Sequence, residues 1–440
     1  MKDTSILVKS DVLETLRTSK LLPRLINVGL RGSTLVSKFL LIFLLARFLE
    51  PAEVGLYGLL VATVSYALYF LGFDFYVFTT REIIKASPDN RGRLLKSQVG
   101  LSMLLYVVFL PLSLSLFVFE LLPWWLAPWF ISLLVLEHIN QELNRLLVAL
   151  NRQLVASLVL FFRAGAWALV VVVVLGLNED LRSLSTVVGG WLIGGTLAVL
   201  LGFAAIAKAG MGGWTKKIDW MWVRKGLRVA LPMLISSIAL RGLFTLDRYW
   251  FEAWVSLEAL GAYVLFMGIA TAMQSFMDAA VFTFLYPGMI SAHARGEPEL
   301  FRQKHKQMVV QTVLLLAVFS GVAMAAIGPI VSWLDRPIYL EHIDIFMWVL
   351  VANVLFILGA LPQYALYAQN FDRPIIFNHL IGFWVFVVAT ALVGNADKSA
   401  AVPIGLCCAC GYLFLSKTYA FYKLTPNNWR LIILSRNYTL

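Results

Sequence analysis

Apolar runs of about twenty residues recur from one end of the chain to the other, and each is long enough to cross a bilayer as a helix. They predict twelve spans, near residues 22–48, 56–79, 97–119, 128–149, 154–177, 184–207, 228–251, 260–288, 308–333, 344–368, 375–394 and 400–422. The connections are short, which leaves no room for a soluble catalytic domain. The longest, residues 208–225, follows the sixth span and holds a Gly-Met-Gly-Gly-Trp segment with Lys216 and Lys217 behind it.

Within these runs the polar residues are few enough to be read one by one. In the first span Arg24, Arg31 and Lys38 recur every seven residues. A helix drifts only about 20° over that spacing, so the three cations share one narrow stripe. Arg24 and Arg47 read as anchors at the two interfaces. Arg31 and Lys38 lie deeper, where a cation costs about 2.5–3.5 kcal/mol against lipid, and are therefore expected to line a polar interior. In span four Glu137, His138, Gln141, Glu142, Asn144 and Arg145 fall within an arc of about 160° at 100° per residue, which predicts a polar cavity or seam. Arg163 in span five and Arg241 in span seven are also expected at mid-depth. Asp74, Asp278 and Asp247, with Glu137 and Glu142, are candidates for ion coupling or for salt bridges that close one conformation.

Composition agrees with this pattern. Of 440 residues 60% are hydrophobic and 14% charged, against about 45–50% and 25% in soluble domains. The net charge of +11 does not point to nucleic acid, because the basic residues cluster in connections. With the N-terminus inside, 27 of the 36 Lys and Arg residues, Lys417 and Lys423 of the C-terminal region among them, fall on the cytoplasmic side. Five fall outside and four within spans, which predicts cytoplasmic termini. The first twenty residues contain no long apolar core, so no cleavable signal is expected, and Asp11 to Leu22 can form a short surface helix.

The chain also repeats itself. Glu53-Val54-Gly55-Leu56-Tyr57 aligns with Ala259-Leu260-Gly261-Ala262-Tyr263 at an offset of 206 residues. Six spans per half is an even number, so the halves share an orientation and are expected to be related by a pseudo-two-fold along the membrane normal. The expected division is a lobe over 1–207, a linker over 208–227 and a lobe over 228–440.

Nothing reads as enzyme chemistry. The five histidines are scattered, and Cys407, Cys408 and Cys410 share one apolar run and read as small packing residues. Gly189-Gly190 and Gly194-Gly195 read as close helix packing. Neither a cofactor nor a metal is called for. An interior holding Arg31, Lys38, Arg163 and Arg241 instead favours an anionic ligand, for which Arg offers a planar fork of donors and Lys a point charge.

Leu44-Leu45-Ala46-Arg47-Phe48-Leu49-Glu50-Pro51-Ala52-Glu53-Val54-Gly55-Leu56-Tyr57 resembles the junction of the first two spans in Wzx-type polysaccharide flippases, of the multidrug/oligosaccharidyl-lipid/polysaccharide exporter superfamily. Leu231 to Ser237, Asp247-Arg248, Gly261-Ala262-Tyr263 and Leu366 to Asn370 resemble later parts of that family. Glu50 and Val255 to Glu258 depart from it where a Gly-Pro pair is more usual. The resemblance implies an all-α membrane protein of two six-helix lobes in the bacterial inner membrane. It implies alternating access, driven by an H+ or Na+ gradient, that carries a polyprenyl-pyrophosphate-linked oligosaccharide to the outer leaflet, with polysaccharide assembly proteins as possible partners. A multidrug exporter of the same superfamily, a membrane-embedded glycan polymerase and a non-transporting scaffold are the alternatives. The short outward connections argue against the polymerase.

Overall fold

A computed structural model describes residues 21–430, with side chains from Leu25 onward. The surface helix expected over Asp11 to Leu22 falls mostly outside them, as do the tail cations Lys2, Lys9, Arg17, Lys20 and Arg436 and the side chain of Arg24. The described residues contain helices and connections and no strand.

The described residues form twelve long helices, labelled α1 (Leu21–Phe48), α2 (Pro51–Gly72), α3 (Pro88–Val118), α4 (Ala127–Ala149), α5 (Gln153–Leu177), α6 (Leu184–Ala207), α7 (Trp220–Trp254), α8 (Leu257–Ala294), α9 (Pro298–Leu334), α10 (Ile343–Ala368), α11 (Asp372–Gly394) and α12 (Lys398–Leu424). All but α4 are apolar enough along an uninterrupted window to cross a membrane on length and composition alone. At 23 residues α4 is about 34 Å long, but it carries Glu137, Glu142 and Arg145.

Local chemistry sets the ends. Proline occupies the first turn of α3 and α9, where its missing N–H leaves nothing unsatisfied. The Ser256 and Asp397 side chains accept from the first backbone N–H groups of α8 and α12. The second span ends sooner than expected. Phe73 and Asp74 take left-handed backbone conformations, with φ of 51° and 49°, and a separate helix, Tyr76–Lys85, follows. Asp74 therefore stands in a turn rather than within a span.

The compact units do not coincide with the sequence halves. One contains Met1–Leu41 and Phe70–Ala230, the other Ile42–Tyr69 and Leu231–Leu440. The residues assigned differently are the C-terminal end of α1 and nearly all of α2, and the packing of α2 explains its place. In the second unit, a Cβ on Gly55 would collide with the carbonyl of Leu257, and one on Gly261 with the carbonyl of Pro51. At the 206-residue offset Pro51 corresponds to Leu257 and Gly55 to Gly261, so the two collisions are mates of one self-complementary contact. Glycine is required at both positions because α2 and α8 cross backbone to backbone there. The repeated motif is thus a contact between its own two copies, on the local pseudo-two-fold.

In the first unit, the glycines of α6 do the packing expected of them. A Cβ on Gly194 would meet Trp167 of α5, and one on Gly195 would meet Leu136 of α4. Asn140 donates to the Gly195 carbonyl at 2.9 Å, and Asn144 to the Ala156 carbonyl at 2.7 Å. The connection after α6 docks on the start of α3: Gly92 N–H donates to the Gly212 carbonyl at 2.8 Å, and Arg93 pairs with Asp219 at 3.0 Å.

Candidate functional site

In the first unit the polar residues of four helices meet around Glu137. Arg163 lies in a π-helical turn, Phe162–Ala166, and its Nε donates to Glu137 Oε2 at 2.7 Å. A second guanidinium nitrogen pairs with the same oxygen. Trp191 Nε1 donates to Glu137 Oε1 at 2.8 Å, and Trp167, stacked on Trp191, donates back to the Arg163 carbonyl at 2.9 Å. The Arg163 and Glu137 side chains are only 17% and 7% exposed. Arg163 is therefore paired with a carboxylate, whereas the sequence places it among the cations that favour an anionic ligand.

Arg31 and Lys38 are placed otherwise. Arg31 Nε donates to Ser157 Oγ at 3.2 Å, and Ser157 in turn donates to Asn27 Oδ1. Lys38 stands close enough to Glu137 and Arg163 to feel both charges. Both residues keep accessible surface, although other atoms of the chain closely surround Lys38, and among the described residues neither has a carboxylate within salt-bridge distance. Residues 27, 31 and 38 lie on one face of α1, so this face presents two cations outside any salt bridge among the described residues and an amide.

Farther along α4 the predicted polar face lines a cavity of about 220 Å³. Glu142 accepts from Gln98 at 2.5 Å and from Arg145 at 2.6 Å, and the Arg145 guanidinium lies 3.5 Å from the Tyr76 ring centre. His138 shares a hydrogen with Tyr106 across 2.6 Å, and its other ring nitrogen is buried without a partner. The rest of the lining is mostly apolar, including Val99, Met103 and Phe203.

The second unit holds the remaining candidates. Arg241 is exposed, donates to Tyr69 Oη at 3.1 Å and feels the charge of Asp278. Asp278 opens a second π-helical turn, Asp278–Phe282, and accepts from the Tyr364 hydroxyl. Asp247 is fully buried and accepts from Tyr263 at 2.7 Å and from Arg248 at 3.2 Å. That arrangement is an internal brace of α7 and α8. Arg47, read as an interface anchor, donates to the Leu334 carbonyl at 2.7 Å and lies over the Trp333 ring.

One cation was misread from sequence. Lys417, counted with the cytoplasmic residues, lies inside α12 at 2% exposure and donates to Gln363 Oε1 at 2.6 Å. The sequence reading also passed over Trp191, Ser157 and Tyr364, which are the partners of Glu137, Arg31 and Asp278. Their one signal was that a polar side chain interrupts an apolar run. Among the described residues no group of three or more His, Cys, Asp or Glu residues is arranged to hold a metal ion.

Solved structures share this fold. An inward-facing multidrug resistance MATE family transporter of the MOP superfamily aligns with a TM-score of 0.62 at 13% identity, covering 91% of this chain and 100% of that one. An outward-facing one aligns at 0.54 and 14%, covering 91% and 94%. A MOP superfamily transporter from Pyrococcus furiosus aligns at 0.56 and 15%, covering 92% and 95%. At these identities the likeness is one of fold. A comparison with curated protein sequences finds no match. The sequence profile of the polysaccharide biosynthesis proteins does match, over residues 27–293, which is more than half of the chain, and the protein belongs to that family.

Proposed function

We propose that this protein is a flippase that carries a polyprenyl-pyrophosphate-linked oligosaccharide from the inner to the outer leaflet of the bacterial cytoplasmic membrane. It works by alternating access, with both termini in the cytoplasm and an H+ or Na+ gradient as the drive. The observation that carries this reading is the α1 face on which Arg31 and Lys38 stand with no carboxylate within salt-bridge distance among the described residues. A pyrophosphate leaving water needs donors and positive charge to replace its hydration, and these two side chains supply both. Family membership supports a role in polysaccharide assembly.

An exporter of cationic drugs, the reading suggested by the MATE structures, calls for an interior carboxylate available to a cation. Glu137, Glu142 and Asp247 are each committed to an arginine and a second donor, and Asp278 accepts from Tyr364 with the Arg241 charge nearby to offset its own. Pocket polarity already divides this fold, since the Pyrococcus furiosus transporter is described as having a reverse polarity of binding pocket that suggests a different function.

The test is an Arg31→Gln, Lys38→Gln double variant expressed at normal level in cells that depend on the protein. We expect surface polysaccharide to fall at least about tenfold, the equivalent of one charge-assisted hydrogen bond, and lipid-linked glycan to accumulate on the cytoplasmic face. Unchanged export would sink the proposal.

A further inference from the structure

We propose that Tyr69, Arg241, Asp278, Tyr286 and Tyr364 form a binding site for a neutral sugar ring, and that this site reads the glycan end of the substrate. The inference rests on the transport reading above and assigns to the second unit a task separate from holding pyrophosphate.

The five residues come from α2, α7, α8 and α10. Arg241 Nε donates to Tyr69 Oη at 3.1 Å, and Tyr364 donates to Asp278. The Tyr364 ring lies 4.9 Å from those of Tyr286 and Phe282, tilted by 49° and 47°. Phe282 closes the π-helical turn that Asp278 opens. Such a turn adds one residue to the helical circuit and so re-aims the side chains on either side of it. Here it brings a carboxylate and a ring to the same tyrosine.

Tyrosines near helix ends often form an interfacial belt, with their hydroxyls among the lipid headgroups. That does not describe this cluster, in which two hydroxyls are bonded to Arg241 and Asp278. All three tyrosines are half-buried and Arg241 is exposed, so rings and charged groups remain accessible together.

The chemistry suits a sugar better than a phosphate. Arg241 and Asp278 offset one another, so the site lacks the excess positive charge of the α1 face, and the carboxylate repels an anion. A ring hydroxyl both donates and accepts, and it finds an acceptor in Asp278, donors in Arg241 and groups of either kind in the phenols. The apolar C–H face of a pyranose finds the tyrosine rings.

The experiment uses the full-length protein in lipid nanodiscs with two probes, undecaprenyl pyrophosphate and the lipid-linked glycan extracted from the native host. Asp278→Asn and Tyr286→Ala are the site variants, with Tyr364→Phe as the variant least able to disturb folding. Each should weaken the glycan-bearing lipid about ten- to a hundredfold, the range for a hydrogen bond to a charged group, while the bare pyrophosphate binds as in wild type. Equal weakening of both probes, or no weakening of the glycan-bearing one, overturns the assignment. The Arg31→Gln, Lys38→Gln variant reads the transport proposal separately, because it should lose the bare pyrophosphate that the Asp278→Asn variant keeps.

Discussion

The circuit around Glu137 gives the sharpest test of how the first unit is held together. Glu137→Gln leaves the Arg163 guanidinium in its π-helical turn, 17% exposed, with Lys38 nearby and no counter-charge. Charges about 4 Å apart at an effective dielectric near 20 attract by about 4 kcal/mol, and breaking a buried pair from one side costs about 3–5 kcal/mol. Arg163→Gln should cost less. Glu137 would keep the 2.8 Å bond from Trp191 and the attraction of Lys38, which no longer has a like charge beside it. The double variant removes both charges, and we expect it to be more stable than Glu137→Gln alone. The assay is equilibrium unfolding in mixed micelles of all four proteins, followed by tryptophan fluorescence. The cycle should return a coupling of about 2–3 kcal/mol. A coupling under about 0.5 kcal/mol, or Arg163→Gln proving the more damaging single change, would refute this account of the pair.

Three further outcomes follow from packing and capping. Gly261→Ala should lower the unfolding free energy by about 1–3 kcal/mol or more, since the added carbon meets the Pro51 carbonyl; Gly321→Ala, with nothing within 4 Å, should raise it by about 0.5–1 kcal/mol. Gln363→Leu should cost about 3–5 kcal/mol by stripping the buried Lys417 ammonium of its acceptor, and adding Lys417→Met should restore much of the loss in the same assay. The Ser399 hydroxyl and the Ala400 N–H hold the Asp397 carboxyl below the usual carboxylate range. A carboxyl with a lower value folded than unfolded stabilises the fold at neutral pH, and that contribution fades as pH falls through about 4 and below. Asp397→Asn should therefore be less stable than wild type at pH 7, by under about 1 kcal/mol because the group is exposed, and the difference should shrink as the pH falls below about 4.

Much of the fold was legible because a bilayer imposes a length and a polarity that survive in sequence. The polar arc of α4 was readable for the same reason. Six polar residues on one face of a spanning helix require something to face, and the helix meets Arg163, Trp191, Tyr106 and Gln98 there. What could not be read is which charge meets which. Arg163 and Arg31 look alike in sequence, yet a carboxylate 26 residues away neutralises one, while the other bonds only a hydroxyl among the described residues. The π-helical turns that aim Arg163 and Asp278 leave no trace in a 3.6-residue period. Lys417, seven residues from the end of α12, has the sequence context of an interface lysine, and only Gln363 of α10 shows that it is inside. The unit boundary was hidden likewise. A continuous helix carries no mark at Leu41, where its packing partner changes, although the Gly55 and Gly261 motif that causes the change was visible as a repeat.

The repeat also explains why the chemistry is not duplicated. At the offset that superposes Gly55 on Gly261, Arg31 and Lys38 correspond to Ser237 and Phe244, so the cations of α1 have no counterpart on α7. The cation that α7 does carry, Arg241, faces Asp278 and Tyr69 instead. A pseudo-symmetric scaffold keeps its matching contacts where helices cross and gives them up where side chains are exposed. A ligand with identical ends would favour equivalent groups on both copies of the repeat. A lipid-linked glycan has a doubly charged joint and a hydroxylated head, and these need different partners. The cations of α1, outside any salt bridge among the described residues, suit the joint, and the balanced, tyrosine-rich cluster of the second unit suits the head.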